Sequence, residues 1–402
     1  MKSFLTSAAA ATAIAVAGTA QAVDVKVGSV AGVTGPIAEL VDAIIAGRNM
    51  AAVHVNSQGG MFGGGDKLSL VLSDSQCDPK AGVDAGNKVV NVEQVVAIVG
   101  ASCSGATNGM VQSVTIPSGV VALSDSATAP SITELEDNDL VFRVAPSDAY
   151  QGLAIAKLAM EKGYKKVAMT YANDDYNAGI AAVFEQEFKA MGGEITANQV
   201  HEPNKASYRA EVTTLSNGNP EALAIFAYYG GSGITIIRNS LETGAFGKFM
   251  AADGMFDVSV IEQIGADNLR DNIVITQAAS DDQAQAYRIF AEAFQQLGRD
   301  PAAPYAAHGY DAVFLIALAI EKAGVGDRSK VSAALRAVSN GSGEVILPGE
   351  WAKAKELIAA GKDINYEGAS GLVDFDENGD VSGLFSANTV GDGDNWVKSL
   401  LR

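Results

Sequence analysis

From residue 23 onward the chain alternates short apolar runs of strand length with amphipathic stretches of helix length, and the alternation starts afresh at residue 148. That rhythm leaves few folds open. Strands separated by helix-length crossovers pair in parallel, and a parallel sheet needs helices over both faces. In the first round strands are expected at 23–30, 67–73, 95–100 and 120–124, helices at 37–56, 79–91 and 106–118, and a strand at 142–144 leaving the unit. In the second, helices at 149–162, 176–191, 208–216 and 234–243 alternate with strands at 166–171, 195–200, 222–227, 249–252 and 273–277. Helical stretches at 281–297 and 306–323 follow, and they suit a cover for the first unit. The fold class expected is α/β, as two doubly wound parallel-sheet lobes.

The amino terminus reads as an export signal. Met1-Lys2 precedes an apolar stretch containing Ala8 to Gly18, and Ala20-Gln21-Ala22 offers the small-residue cleavage pattern. The stretch is broken by Thr6, Ser7, Thr12 and Thr19, and a membrane span needs about 20 apolar residues. With 1–22 removed as a signal peptide and no cysteine at the new terminus, the product is expected to be a periplasmic protein without a lipid anchor. What remains of the 402 residues exceeds one hydrophobic core, so two domains are expected. A formal charge of −19, with pI near 4.5, argues against nucleic-acid or anionic-membrane partners.

Residues 77–105 hold both cysteines, a helix, a strand and a small-hydroxyl loop. Behind an export signal, Cys77 and Cys103 are expected to form a disulfide worth roughly 3–4 kcal/mol on loop-entropy arithmetic. In open α/β sheets ligands bind beyond the carboxyl ends of strands. The loops there read GVTGP (32–36), SCSG (102–105), SDSAT (124–128), NDDYNAG (173–179), YYGGSG (228–233) and ADGMFD (252–257), rich in small hydroxyls, glycines and a few aromatics.

Particular words in the chain carry a resemblance. They include Asn56-Ser57-Gln58-Gly59-Gly60, Asp74-Ser75-Gln76-Cys77-Asp78-Pro79-Lys80, Gly100-Ala101-Ser102-Cys103-Ser104 and Ala127-Thr128-Ala129-Pro130. Val141-Phe142-Arg143, Gln151-Gly152, Tyr310-Asp311-Ala312-Val313 and Phe375-Asp376-Glu377-Asn378-Gly379-Asp380 continue the series. Together and in order they resemble the leucine/isoleucine/valine-binding type of periplasmic substrate-binding protein that serves ABC importers. The resemblance implies two lobes joined by three hinge crossings, near Ala145, 276–279 and 384–386, with residues 23–145 plus 279–384 in one lobe and 146–277 plus 386–402 in the other. It also implies a monomer that closes on a small ligand, an amino acid or related carboxylate, and presents it to an inner-membrane ABC permease, with no cofactor.

The resemblance further assigns residues. Ser104, Ser126 and Thr128 would meet the ligand carboxylate through hydroxyls and backbone amides, and Asp253 would accept from its ammonium. Tyr176 would close over it from the second lobe, with Tyr229 and Tyr305 as further candidates. Neutral hydroxyls and amides can hold a carboxylate without burying an unpaired cation. Ser104 and Thr128 also suit helix capping, and Asp253 a turn. Departures matter for specificity: Leu40 stands where the relatives place a large aromatic, and Ser126 where an alanine is usual. A non-amino-acid ligand, such as an aromatic or aliphatic carboxylate or a small amide, is the alternative, and an amide sensor of the same fold is a further one.

Other chemistry has little support. Asp374, Asp376, Asn378 and Asp380 imitate a calcium loop, but its twelfth position is Phe385. His54, His201 and His308 form no i, i+4 pair for zinc. Gly230-Gly231-Ser232-Gly233 lacks the spacing of a nucleophile elbow, so neither a metal nor an enzyme activity is expected.

Overall fold

The computed structural model describes residues 24–62, 65–324 and 327–401; the expected signal peptide lies outside them. Strands β1 (Asp24–Ala31), β2 (Lys67–Asp74), β3 (Ala97–Val99), β4 (Ala122–Ser124) and β5 (Val141–Arg143) form a wholly parallel sheet in the order β2-β1-β3-β4-β5. Helices α1 (Ala38–Ser57), α2 (Pro79–Asn87), α3 (Ser104–Met110) and α4 (Pro130–Thr133) make the crossovers. The helices expected at 79–91 and 106–118 change character part-way, running on as wide π-type turns at Lys88–Val92 and Val111–Thr115. Val89 with Val90, and Val111 with Val114, are buried in those turns.

After α5 (Asp148–Glu161) come β6 (Lys166–Ala172), α6 (Asp175–Ala190), β7 (Glu194–His201), α7 (Arg209–Leu215), β8 (Ala222–Phe226), α8 (Ile234–Thr243) and β9 (Phe249–Ala251). Then follow α9 (Val258–Ile264), α10 (Ala266–Leu269) and β10 (Ile273–Ala279). Four more helices, α11 (Gln285–Gln296), α12 (Ala306–Ala323), α13 (Val331–Ser339) and α14 (Trp351–Ala359), return to the first unit. A short parallel pair, β11 (Glu344–Ile346) and β12 (Ile364–Tyr366), lies among them. The chain ends in β13 (Leu384–Val390) and β14 (Trp396–Leu401), and the second sheet has the order β14-β13-β10-β9-β8-β6-β7. This sheet departs from the wholly parallel expectation, because β13 is antiparallel to β10 and to β14. The turn joining β13 to β14, closed by the Gly391 N–H on the Asn395 carbonyl at 2.9 Å, is too short for a parallel crossover.

Helix α12 is buried continuously from Ala306 to Ile320, as a helix apolar on all sides should be, and it packs on α1. Glycines permit the close crossing: a methyl group on Gly309 would lie 2.6 Å from the Ile44 carbonyl, and one on Gly47 would strike the Ala306 carbonyl. Around α12 gather Phe290, Phe294, Leu335, Trp351 and Tyr366, so the helices after β10 complete the core of the first unit. The Asp374–Asp380 segment is a turn: Asp376 Oδ1 accepts from the backbone N–H groups of Asn378 at 2.8 Å and Asp380 at 3.0 Å. Asp380 itself pairs at 2.6 Å with the buried Arg143 of β5, which also donates to the Ala129 carbonyl at 2.9 Å.

Two connections fix the loops above the first sheet. The Cys77–Cys103 disulfide, with Cα atoms 5.3 Å apart, ties the end of β2 to the start of α3. Beneath, the fully buried Arg48 of α1 meets Asp125 at 2.6 Å and donates to Ser29 Oγ and the Val30 carbonyl at 3.0 Å and to Ser102 Oγ at 3.1 Å. One guanidinium thus joins the carboxyl end of β1 to the loops after β3 and β4. Replacing both cysteines by serine should lower stability by about 2–5 kcal/mol in urea unfolding. Arg48→Met strands Asp125 as a buried carboxylate and should cost about 3–5 kcal/mol in the same measurement.

Candidate ligand-binding site

The loops beyond the carboxyl ends of both sheets face each other across a cavity of about 30 Å³. Ile37, Leu40, Ser102, Ser104 and Ser126 line it from the first unit, with Tyr305 from the turn that opens α12; Tyr176, Tyr228, Asp253 and Gly254 line it from the second. That volume is water-sized, so an organic ligand enters only if the walls part. A larger space of about 290 Å³ lies beside it and shares Cys103 and Tyr228.

Asp253 starts a short turn after β9 and is 6% exposed. Its Oδ1 accepts from Tyr176 Oη and Gln151 Nε2, each at 2.9 Å, and its Oδ2 from Tyr305 Oη at 2.9 Å. Burial pushes its carboxyl group above the usual range, and the bonds from Gln151, Tyr305 and Tyr176 pull it back. All three donors are neutral, and among the described residues no Lys or Arg lines the cavity. A buried carboxylate with hydrogen bonds but no counter-charge, on the wall of a cavity, suits a cationic group of a ligand.

Ser104 lies opposite, at the first turn of α3. Its Oγ accepts from the backbone N–H groups of Thr128 at 3.2 Å and Ala129 at 3.1 Å, which leaves the hydroxyl proton free to be donated. Ser126 Oγ lies 3.1 Å from the Ser102 carbonyl. The structure thus brings Leu40, Ser104, Ser126, Tyr176, Asp253 and Tyr305 of the expected residues around one cavity. Thr128 stands behind it: its N–H is spent on Ser104, its carbonyl accepts from the Asp148 N–H at 2.8 Å, and its side chain lies beside the Asp148 carboxyl group. Tyr229 packs into the core of the second unit, with its hydroxyl against the Leu40 backbone. Its neighbour Tyr228 takes the place on the wall, stacked on Tyr176 with ring centroids 5.4 Å apart.

Sequence reasoning left Tyr228, Gln151 and Asp148 without roles. Tyr228 is the second residue beyond β8, and adjacent tyrosines at a strand end leave open which one faces the cleft. Gln151 belongs to the Gln151-Gly152 word, and its Nε2 donates to the Thr276 carbonyl at 3.0 Å as well as to Asp253, joining α5, β10 and the site. Side-chain hydrogen bonds that join the two units include Tyr305 to Asp253, and Asn108 Nδ2 of α3 to Asp175 Oδ2 of α6 at 2.9 Å.

The sequence matches the family described as "Receptor family ligand binding region" over residues 47–386. It is 30% identical, over 314 residues, to the leucine-, isoleucine-, valine-, threonine- and alanine-binding protein of Pseudomonas aeruginosa, covering 78% of this chain and 82% of that one. The fold is shared with the leucine-binding protein LivK of Thermotoga maritima, at a TM-score of 0.79 and 24% identity over 94% of this chain and 98% of that one. It is shared too with an R. palustris ABC-transporter solute-binding protein in complex with benzoate, at a TM-score of 0.75 and 20% identity over 94% and 96% of the two chains. On the extent of the family match and the identity to the Pseudomonas protein, the chain belongs to the receptor family ligand binding region and, within it, to the leucine/isoleucine/valine-binding proteins.

Proposed function

We propose that this is an exported, monomeric solute-binding protein that captures a small aliphatic amino acid between its two units and delivers it to an ABC permease of the inner membrane. Asp253 carries the reading: a buried acid with three neutral donors faces, across a cavity, a serine hydroxyl free to donate. An amino acid supplies the complement, its ammonium to Asp253 and its carboxylate to Ser104 and Ser126. Ile37 and Leu40 give the side chain an apolar wall. The relatives named for leucine, isoleucine and valine support the same ligand class.

The mechanism is binding with closure about the crossings near Ala145, 276–279 and 384–386. The signal peptide at 1–22 would place the product in the periplasm. A ligand shifts the open and closed populations only by the difference in its affinity for them, so it must be gripped from both sides. Ser104 on one side with Tyr176 and Asp253 on the other provide that grip. The three tyrosine rings on the wall favour a second reading, an aromatic carboxylate, in which Asp253 has no ammonium to receive.

Thermal unfolding of refolded, ligand-stripped protein separates the two readings. Leucine, isoleucine or valine at about 100 times its dissociation constant should add about 2.7 kcal/mol of stability, and a response to benzoate alone would replace the amino-acid reading with the second one. In calorimetry, Asp253→Ala should weaken leucine binding at least about tenfold, and unchanged affinity would remove Asp253 from the site. Tyr305→Phe, which deletes a bond across the cleft, should weaken it by about 0.5–1.5 kcal/mol.

A further inference from the structure

Asp148 is the first residue of α5, where an acid after the Ser147 cap ordinarily sits in solvent near the helix dipole. Here it is fully buried, and neither carboxyl oxygen has a hydrogen-bond partner of ordinary geometry. Arg143 of β5 lies within electrostatic reach but is committed to Asp380 and the Ala129 carbonyl. Thr128, from the loop after β4, offers one side chain beside it. The second acid in reach is Asp253: Gln151, one turn along α5 from Asp148, donates to it at 2.9 Å, both acids are buried, and the rings of Tyr176, Tyr228 and Tyr305 lie in the field of both carboxyl groups. Asp174 faces the same cluster from the mouth of the cleft, through Tyr228.

Two carboxylates in one buried cluster, with no free cation beside them, do not both stay ionised; the arrangement is relieved by a proton or by an incoming positive charge. We propose that Asp148 and Asp253 form one carboxyl pair that holds a single proton in the empty site and releases it when the cationic head of the ligand arrives, so that capture exchanges a proton for an ammonium. This rests on the amino-acid reading above. As the ammonium N–H groups bond to Asp253, the carboxyl O–H of the pair breaks and its proton leaves to water; no electrons move. The proton belongs to the pair rather than to one residue, although the ring donors favour the charge on Asp253. Burial followed by the charge of Asp253 pushes Asp148 well above the usual carboxyl range, in keeping with this division. His201 and His308 are pushed down to about 4 and about 3 by burial, and His54 lies apart, bonded to Tyr310, so no histidine of the site imitates the effect.

Linkage fixes the sign. Binding that releases a proton strengthens as pH rises, by up to about tenfold per unit, while the empty pair is protonated, and levels off above that range. In the ligand-free protein the folded state keeps a proton that the unfolded carboxyl groups have lost, so this contribution to stability falls as pH rises from about 4 toward the raised folded value.

Calorimetric titration with L-leucine near pH 6.5, in phosphate and in Tris, reads the released proton from the difference in apparent heat. The wild type should release up to one proton. Asp148→Asn, which keeps the shape, should release almost none and lose most of the rise of affinity with pH, whereas Asp174→Asn should behave as wild type. A wild type that binds leucine without proton release, or an Asp148→Asn variant that still releases one, overturns the proposal. Infrared spectra of the ligand-free proteins supply a readout that needs no ligand: a protonated-carboxyl band present in the wild type and missing in Asp148→Asn is expected, and its absence from the wild type overturns the pair. If leucine, isoleucine, valine, alanine and threonine all fail to bind, the ligand reading fails while the infrared band still decides the pair.

Discussion

The ion pair between Arg48 and Asp125 underlies most of what the first unit presents to the cleft. It is fully buried, and a pair in that setting contributes little net stability when set against apolar replacements. What it supplies is position. Arg48 spends its remaining donors on Ser29, Val30 and Ser102, so three separate strand ends are referred to one rigid group on α1. Ser102 precedes Cys103 and Ser104, and Ser126 follows Asp125 directly. The hydroxyls that face the cavity are therefore one or two residues from atoms that cannot shift without breaking a charge-assisted bond.

The second unit is fixed differently. Asp253 is held by Tyr176 from α6, Gln151 from α5 and Tyr305 from across the cleft, and Gln151 also bonds Thr276 in β10, one of the strands at the crossings. The acid, its supports and the region about which the proposed closure turns are thus one network. The bonds from Tyr305 and from Asn108 join the two units directly, so under the proposed closure this arrangement has stabilisation of its own whatever fills the cavity. A ligand then needs to supply only the remaining difference between the two states.

Much of this was legible in the chain, because periodicity and turn chemistry act locally. Helices α8 and α12 occupy the residues their apolar spacing indicates, and the Cys77–Cys103 link is the one expected from the export-like amino terminus and the two cysteines' proximity in sequence. The region from 324 to 372 escaped, although Val331, Leu335 and Val338 carry a helical period there, because the elements are short and separated by glycine-rich turns. The antiparallel end of the second sheet escaped for another reason: strand direction is decided by a partner more than a hundred residues away, β10, rather than by anything in β13 itself. Asp148 shows the limit most plainly. Its local sequence is that of an ordinary capped helix start, and only complete burial in the folded chain, with both carboxyl oxygens unpartnered, makes it unusual.

The antiparallel end of the second sheet also bears on the order of synthesis. Strand β10 is buried along its whole length and takes β9 on one side and β13 on the other, yet β13 is made only after the long excursion that completes the first unit. Until the last strands emerge, β10 offers a row of unpaired backbone groups on an apolar strand, the kind of edge that recruits foreign chains. The second sheet is consequently completed only after the first unit, by strands that follow the long excursion. A chain released early would carry a completed first half beside a sheet still open to aggregation.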